Sequence, residues 1–269
     1  MSQAQVHRIT SLEDPRVFAY RDMKERELAR RGDRFIAEGE LVTRRLLGSG
    51  YETESVFVID RKLESIQSAV PENVPIFVAD PQVMAGVMGF KFHSGVIACG
   101  RRGKYKRVED LISKHGPALL VVCPNTNNTE NLGSLVRIAA AFGADALVTG
   151  EQCADPFFRQ AIRVSMGTVF SLPIVRSEDL RSDLIAMRDT LHIECVATVL
   201  DVEADPLDAF RPADRSAILL GNEAEGLGEW ADLCDRRVTL PMLRGTDSLN
   251  VAVAAGVFLY AFTRRTMQA

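Results

Sequence analysis

From Ala118 onward, short apolar runs alternate with helix-like stretches, and this alternation restricts the fold more than any other feature of the chain. The runs are "ALLVVC" (118–123), "DALVTG" (145–150), "FSLPIV" (170–175), "ECVATVL" (194–200), "AILLGN" (217–222) and "RRVTLP" (236–241). They are too short for buried helices and too uniformly apolar for strands with one wet face. They predict an α/β fold in which helices cover both faces of a mostly parallel sheet. The stretch after the first run supports this. In "NLGSLVRIAAAFGAD", Leu132, Leu135, Val136, Ala139 and Phe142 follow the i, i+3, i+4, i+7 spacing of a core-facing stripe, and Gly143 is placed to end the helix. Arg137 falls on the opposite face with Ser134 and Ala141, a lone charge on a helix built for burial. Its plain structural reading is a cap on a neighbouring carbonyl.

Before residue 101 the pattern differs. Helical patterns in "VFAYRDMKERELARRG" and "ELVTRRLLGSG" alternate with the short runs "SVFVID", "PIFVAD" and "GVIACG", which predicts a small α/β domain over residues 1–100. The heptad "RRGKYKR" separates the two halves and predicts a basic linker over 101–116. Arg101, Arg102, Lys104, Lys106 and Arg107 are either solvated charges or an electrostatic contact for phosphates. Residues 117–269 then form the second domain. The mixed-sign "RDMKERELARRGDR" reads as a solvated helix with (i, i+4) pairs.

A net charge of −4 argues against indiscriminate nucleic-acid binding and leaves any such contact to a localised basic track. The N-terminus has no apolar signal core, and no run reaches the roughly eighteen apolar residues of a membrane span, so no membrane partner and a cytoplasmic location are expected. Cys99, Cys123, Cys153, Cys195 and Cys234 form no CxxC and read as reduced thiols used as small hydrophobes. The four histidines show no ligand spacing, and no metal is expected.

Three polar clusters leave the ends of strands, where open α/β sheets bind ligands. They are "PNTNNTENLGSLVR", "LGNEAEGLG" and "LPMLRGTDSLN", the last running into the charge-free "VAVAAGVFLYAF". Each alone could be a turn with a helix cap, for which Asn131, Asp247 and Ser248 are suitable residues. Three at one sheet edge exceed what turn chemistry requires. "GNEAEGLG" is not GxGxxG and no Walker sequence exists, which excludes a Rossmann-type nucleotide site.

In this order, the clusters closely resemble the three motifs of SpoU-type (TrmH-family) RNA 2′-O-ribose methyltransferases. The first motif matches Asn131, Gly133 and Arg137. The second matches Gly221, Asn222, Glu223, Gly226 and Leu227, and the third Pro241, Met242, Gly245, Ser248, Leu249, Asn250 and Val251. "SMGTVFSLPI" resembles a further family segment, and the matches together span residues 118–266. Ala224 and Ala252 stand where Gly and Ser are common. The first half is similar to the family's ribosomal-protein-like substrate-binding domain through "ITSLEDPRV", "RRGDRFIAEGELV" and "HSGVIACG".

The resemblance implies a C-terminal trefoil knot, which ordinary topology rules would not propose. It implies S-adenosylmethionine as cofactor, held by Thr198, Gly221, Asn222, Leu240, Met242 and Leu249. Structured RNA, rRNA or tRNA, is the implied substrate, and a homodimer formed through the knotted domain completes the RNA site. Arg137 is assigned to activation of the ribose 2′-hydroxyl, with Asn131, Glu223, Ser248 and Asn250 positioning it and the ribose. A guanidinium is normally an obligate donor, so two roles stay open for Arg137: a base, or a cation that anchors phosphate and stabilises a developing alkoxide. Two other functions also stay open, a non-catalytic RNA-binding or assembly protein that keeps the fold and a knotted methyltransferase acting on a base. The intact motif positions count against the first. Asn131 and Arg137 with the Ser-Leu-Asn motif favour ribose over base.

Overall fold

Residues 4–21, 33–89, 94–222, 225–244 and 248–266 are described by the computed structural model. Within them the first half supplies five strands: β1 (Val6–Arg8), β2 (Arg34–Glu38), β3 (Glu52–Ile59), β4 (Ile76–Ala79) and β5 (Val96–Arg101). They form one mixed sheet in the order β1-β4-β3-β5-β2. Helices α1 (Glu40–Leu47), α2 (Leu63–Gln67) and α3 (Pro81–Met88) lie between strands. Local chemistry sets their ends. Asp80 accepts hydrogen bonds from the backbone of Gln82 and Val83, Pro81 takes the first turn of α3, and Gly89 ends it at φ +77°. Tyr20 is fully buried and donates its hydroxyl to the Ser55 carbonyl at 2.9 Å. The helical pattern expected from Val17 to Gly32 gives only a 3-10 turn, Pro15–Tyr20, among the described residues; 22–32 lie outside them.

This sheet recruits a piece of the second half. Two compact units divide the chain: Met1–Lys104 with Phe157–Ser171, and Tyr105–Pro156 with Leu172–Ala269. Reading in chain order placed 157–171 in the second domain. It belongs with the first because Phe35 of β2 sits opposite Gly100 of β5, where a Cβ would come within 2.4 Å of the ring. Phe157 and Phe170 pack on that ring with centroids at 5.2 and 5.3 Å, and Tyr51 joins them. Helices α4 (Val108–Leu111), α5 (Thr129–Ala141) and α6 (Arg159–Val164) follow in chain order, and α6 lies within this borrowed segment.

The second unit holds β6 (Ala118–Cys123), β7 (Ala146–Thr149), β8 (Ile174–Arg176), β9 (Glu194–Val199), β10 (Asp205–Pro206), β11 (Arg215–Leu219) and β12 (Arg236–Thr239), with α7 (Leu180–Asp189) and α8 (Val251–Thr266). All seven strands pair in parallel, in the order β10-β12-β9-β11-β6-β7-β8. Leu120 and Val122 share a core with Leu180, Leu184 and Met187 of α7. The stripe residues Leu132, Leu135, Val136 and Ala139 of α5 are buried, and α5 packs against α8. Both faces are therefore covered, as continuous apolar runs require.

Three expectations shift. "FSLPIV" yields a strand only from Ile174, because Phe170 is drawn onto Phe35 and Thr168–Phe170 coils into a 3-10 turn. Strand β10 carries no apolar signal and was not anticipated. The cap of α5 is Asn128, whose side chain accepts from Glu130 and Asn131, rather than Asn131 itself. Gly143 ends α5 at φ +71°, as its position suggested. The five cysteines are free, and burial pushes the Cys99 thiol up to about 12, so it is a neutral hydrophobe. Among the described residues no helix is long and apolar enough to cross a membrane.

At the amino ends of the central strands, Arg215 donates to three carbonyls, those of Leu191, Gly116 and Ser113. One planar fork thus ties the loops entering β6 and β9 to β11. Arg215→Met is expected to lower stability by about 2–4 kcal/mol in denaturant unfolding, the scale of lost charge-assisted bonds. Arg215→Lys should recover only part of it, since an ammonium cannot reproduce the fork.

Candidate active site at the carboxyl ends of β9, β11 and β12

The chain turns out of β9, β11 and β12 around one cavity of about 510 Å³, within the range of small-molecule sites. All six residues expected to hold the cofactor line it: Thr198, Gly221, Asn222, Leu240, Met242 and Leu249. Reading the sequence missed Val199, Leu200, Leu220, Ala254 and Phe258, which complete its apolar wall, and Glu225, which brings a carboxylate to it. Phe258 was legible as a buried helix residue, but nothing local marks it as facing a ligand. Thr198 Oγ1 donates to the Leu219 carbonyl at 2.8 Å, so its lone pairs are what it can offer.

The second motif forms the cavity's tightest edge. Asn222 and Gly226 exchange two backbone hydrogen bonds, at 2.9 and 2.8 Å. A Cβ on Gly221 would fall 2.4 Å from the Gly226 carbonyl carbon, so only glycine permits this hairpin. Asn222 Nδ2 donates to the Asn125 carbonyl at 3.3 Å, which ties the second motif to the first. Glu223, expected to position Arg137 and the ribose, lies outside the described residues together with Ala224, as does the third-motif Gly245.

Asn250 joins the third motif to the first. Its Oδ1 accepts from the Ala252 N–H at 2.9 Å and caps α8. The cap is therefore Asn250 rather than Ser248; Asp247 lies outside the described residues. The Asn250 Nδ2 donates to Asn131 Oδ1 at 3.1 Å. The amino ends of α5 and α8 thus meet, and both present the positive end of a helix dipole. Ser248 lines the cavity beside them.

Arg137 does not line the cavity. It is exposed on α5 and makes no hydrogen bond or ion pair among the described residues, which removes the carbonyl-capping reading. It stands six residues beyond Asn131, about 9 Å along the helix axis.

The basic heptad divides. Arg101 pairs with Glu54, Arg107 with Glu109 at 2.9 Å, and the Arg102 guanidinium lies over Phe157 at 5.5 Å. Lys104 and Lys106 are exposed with no hydrogen bond or ion pair among the described residues. No group of three His, Cys, Asp or Glu among the described residues could hold a metal.

Comparison with known proteins gives a consistent picture. The model of the SpoU rRNA Methylase family matches residues 118–260. A protein of Mycobacterium bovis described as an uncharacterized tRNA/rRNA methyltransferase is 36% identical, over 94% of this chain and 90% of its own. The 23S rRNA (guanosine-2′-O-)-methyltransferase RlmB of Acinetobacter baylyi is 28% identical over 77% of this chain and 86% of its own. Among solved structures, an rRNA methyltransferase from Sinorhizobium meliloti with bound AdoMet superposes with a TM-score of 0.81 at 26% identity, covering 99% of this chain and all of that one. A chain whose second and third motifs line one cavity, whose first is hydrogen-bonded to both, and which matches that family model over more than half its length, is a member of the SpoU rRNA methylase family.

Proposed function

We propose that this chain transfers a methyl group from S-adenosylmethionine to a ribose 2′-hydroxyl of structured RNA, with ribosomal RNA the first candidate. One observation carries the reading: residues of the second and third motifs line one cavity, and the first cluster is hydrogen-bonded to both, through Asn131 to Asn250 and through Asn125 to Asn222. The names of the Acinetobacter and Sinorhizobium proteins support the choice of ribosomal RNA.

The residues present fit the cofactor. Leu220, Leu240 and Phe258 offer apolar surface for a nucleoside, while Thr198, Asn222 and the Gly221 backbone offer polar contacts without a Gly-rich phosphate loop. Bound there, S-adenosylmethionine supplies an electrophilic methyl on a sulfonium. The protein must hold the hydroxyl in line and favour loss of its proton. The joined amino ends of α5 and α8 place positive field where the alkoxide develops. Ser248 and Asn131 orient the ribose. Arg137, an obligate donor by its chemistry, anchors the adjacent phosphate and stabilises that charge. Lys104 and Lys106, exposed and without an internal partner among the described residues, are further candidate contacts for RNA phosphates.

A homodimer belongs to the same proposal. On α8, Val253, Val257 and Tyr260 are 54%, 37% and 50% exposed at i, i+4, i+7 spacing, an apolar stripe that a second copy would cover. In this proposal the dimer formed through the second unit completes the RNA site. The insertion of β11 between β9 and β6, followed by the return of α8 onto α5, supports the trefoil knot that the family resemblance implies.

Mapping 2′-O-methyl groups in RNA from a strain lacking the gene tests the function directly; an unchanged map overturns it. Calorimetry should detect S-adenosylmethionine binding in excess EDTA, and failure to bind with or without RNA would refute the cofactor reading. Sedimentation at micromolar concentration should give a dimer, and Val257→Glu should give a monomer; an active wild-type monomer would refute the dimer. Arg137→Ala should reduce single-turnover methylation at least about a hundredfold with cofactor affinity nearly unchanged. Arg137→Lys should restore part of the rate, because it keeps charge without the planar fork. A variant with normal turnover and lower melting temperature would instead assign Arg137 a structural role.

A further inference from the structure

Nearly every arginine of the second unit is already engaged. Of those with described side chains, six pair with carboxylates, two donate to backbone carbonyls and one lies over Tyr260. Two make no such contact among the described residues: Arg137 and Arg244. Arg137 belongs to the first motif. Arg244 belongs to the third, between Met242 and Ser248, which both line the cavity. Two residues of chain place its Cα within about 7 Å of that of Met242.

The backbone makes Arg244 more unusual still. Its φ is +59°, in the left-handed region that favours glycine and that a long side chain enters only at a cost in free energy. The side chain is exposed, so no packing repays the strain. The neighbouring Leu243 is 81% exposed, so the segment is not held by a hydrophobic anchor at that position either. A strained, exposed cation at the rim of a site for a polyanion is explained by what it can reach outside the protein.

We propose that Arg244 is a phosphate anchor, a specificity-determining cation on the third-motif loop that grips the RNA backbone beside the reacting ribose. This rests on the function proposed above. Arg244 and Arg137 then approach the strand from different elements, one from the cavity rim and one from α5. Two guanidinium groups on different elements select a nucleotide whose neighbouring phosphates have a particular spacing, which favours a defined RNA shape over any exposed ribose. Arg244 acts by positioning and does not take part in proton removal.

The test uses the full-length protein with Arg244→Gly, Arg244→Gln and Arg244→Lys. Binding of a short fluorescent oligouridylate is followed between about 50 and 200 mM KCl, and methyl incorporation is followed on undermethylated total RNA from a strain lacking the gene. Loss of one phosphate contact should reduce the slope of log K against log[salt] by about 0.7 in the Gly and Gln variants, with Lys near wild type. The KM for RNA should rise about tenfold while kcat changes little. Arg244→Gly should melt no lower than wild type, since glycine relieves the left-handed strain. An unchanged slope and KM in a folded Gly variant overturns the proposal. A selective loss of S-adenosylmethionine affinity also overturns it, because the cation would then serve the cofactor's carboxylate. Should wild type methylate no RNA, the functional reading fails, and the salt slope still decides whether Arg244 meets a phosphate.

Discussion

The Asn250 side chain is committed at both ends of its amide, and the rest of the site depends on that division. Its oxygen holds the first turn of α8, and its nitrogen reaches Asn131 on α5, 119 residues earlier in the chain. An aspartate could cap the helix but could not donate to Asn131, and a serine would be too short to do both. The same α8 turn carries Val251 and Ala254 into the cavity wall. Helix start, junction of two helix dipoles and shape of the cavity are therefore one mechanical unit. Loosening the Asn250 cap would disturb all three together.

Backbone does much of the remaining work, which is why no familiar nucleotide signature precedes this cavity. The Asn222–Gly226 hairpin is held by main-chain bonds and by the missing Cβ of Gly221. Such a turn can present main-chain polar groups to a ligand, with Glu225 the charged residue it brings to the cavity. The few cations that are not engaged internally then matter more. In the basic heptad, Arg101, Arg102 and Arg107 have intramolecular partners, and only the two lysines extend outward without one among the described residues.

How far the sequence discloses this differs from element to element. Strands β6 and β9 were legible almost to the residue, because burial on both faces leaves an uninterrupted apolar run. Strand β10 was not, being two residues long with a proline. The cap of α5 was misplaced because Asn127, Asn128 and Asn131 are all competent, and only the starting point of the helix selects among them. The cavity lining was legible through family motifs and not through periodicity; its unflagged members, such as Phe258, sit on α8 as ordinary apolar residues. The sharpest departure is the segment 157–171. Its sequence gives no sign that Phe157 and Phe170 answer a glycine at position 100, since that complementarity exists only once β2 and β5 pair.

That borrowed segment also orders events during synthesis. The first unit cannot complete its aromatic cluster when Lys104 leaves the ribosome, because two of the rings have not yet been made. At about 5–20 residues per second, the nascent sheet waits several seconds with Phe35 uncovered. By then β6 and β7 have already emerged, so the early strands of the second sheet are present before the first unit closes. A gene fragment cut at the linker would encode every strand of the first sheet and still lack part of its core.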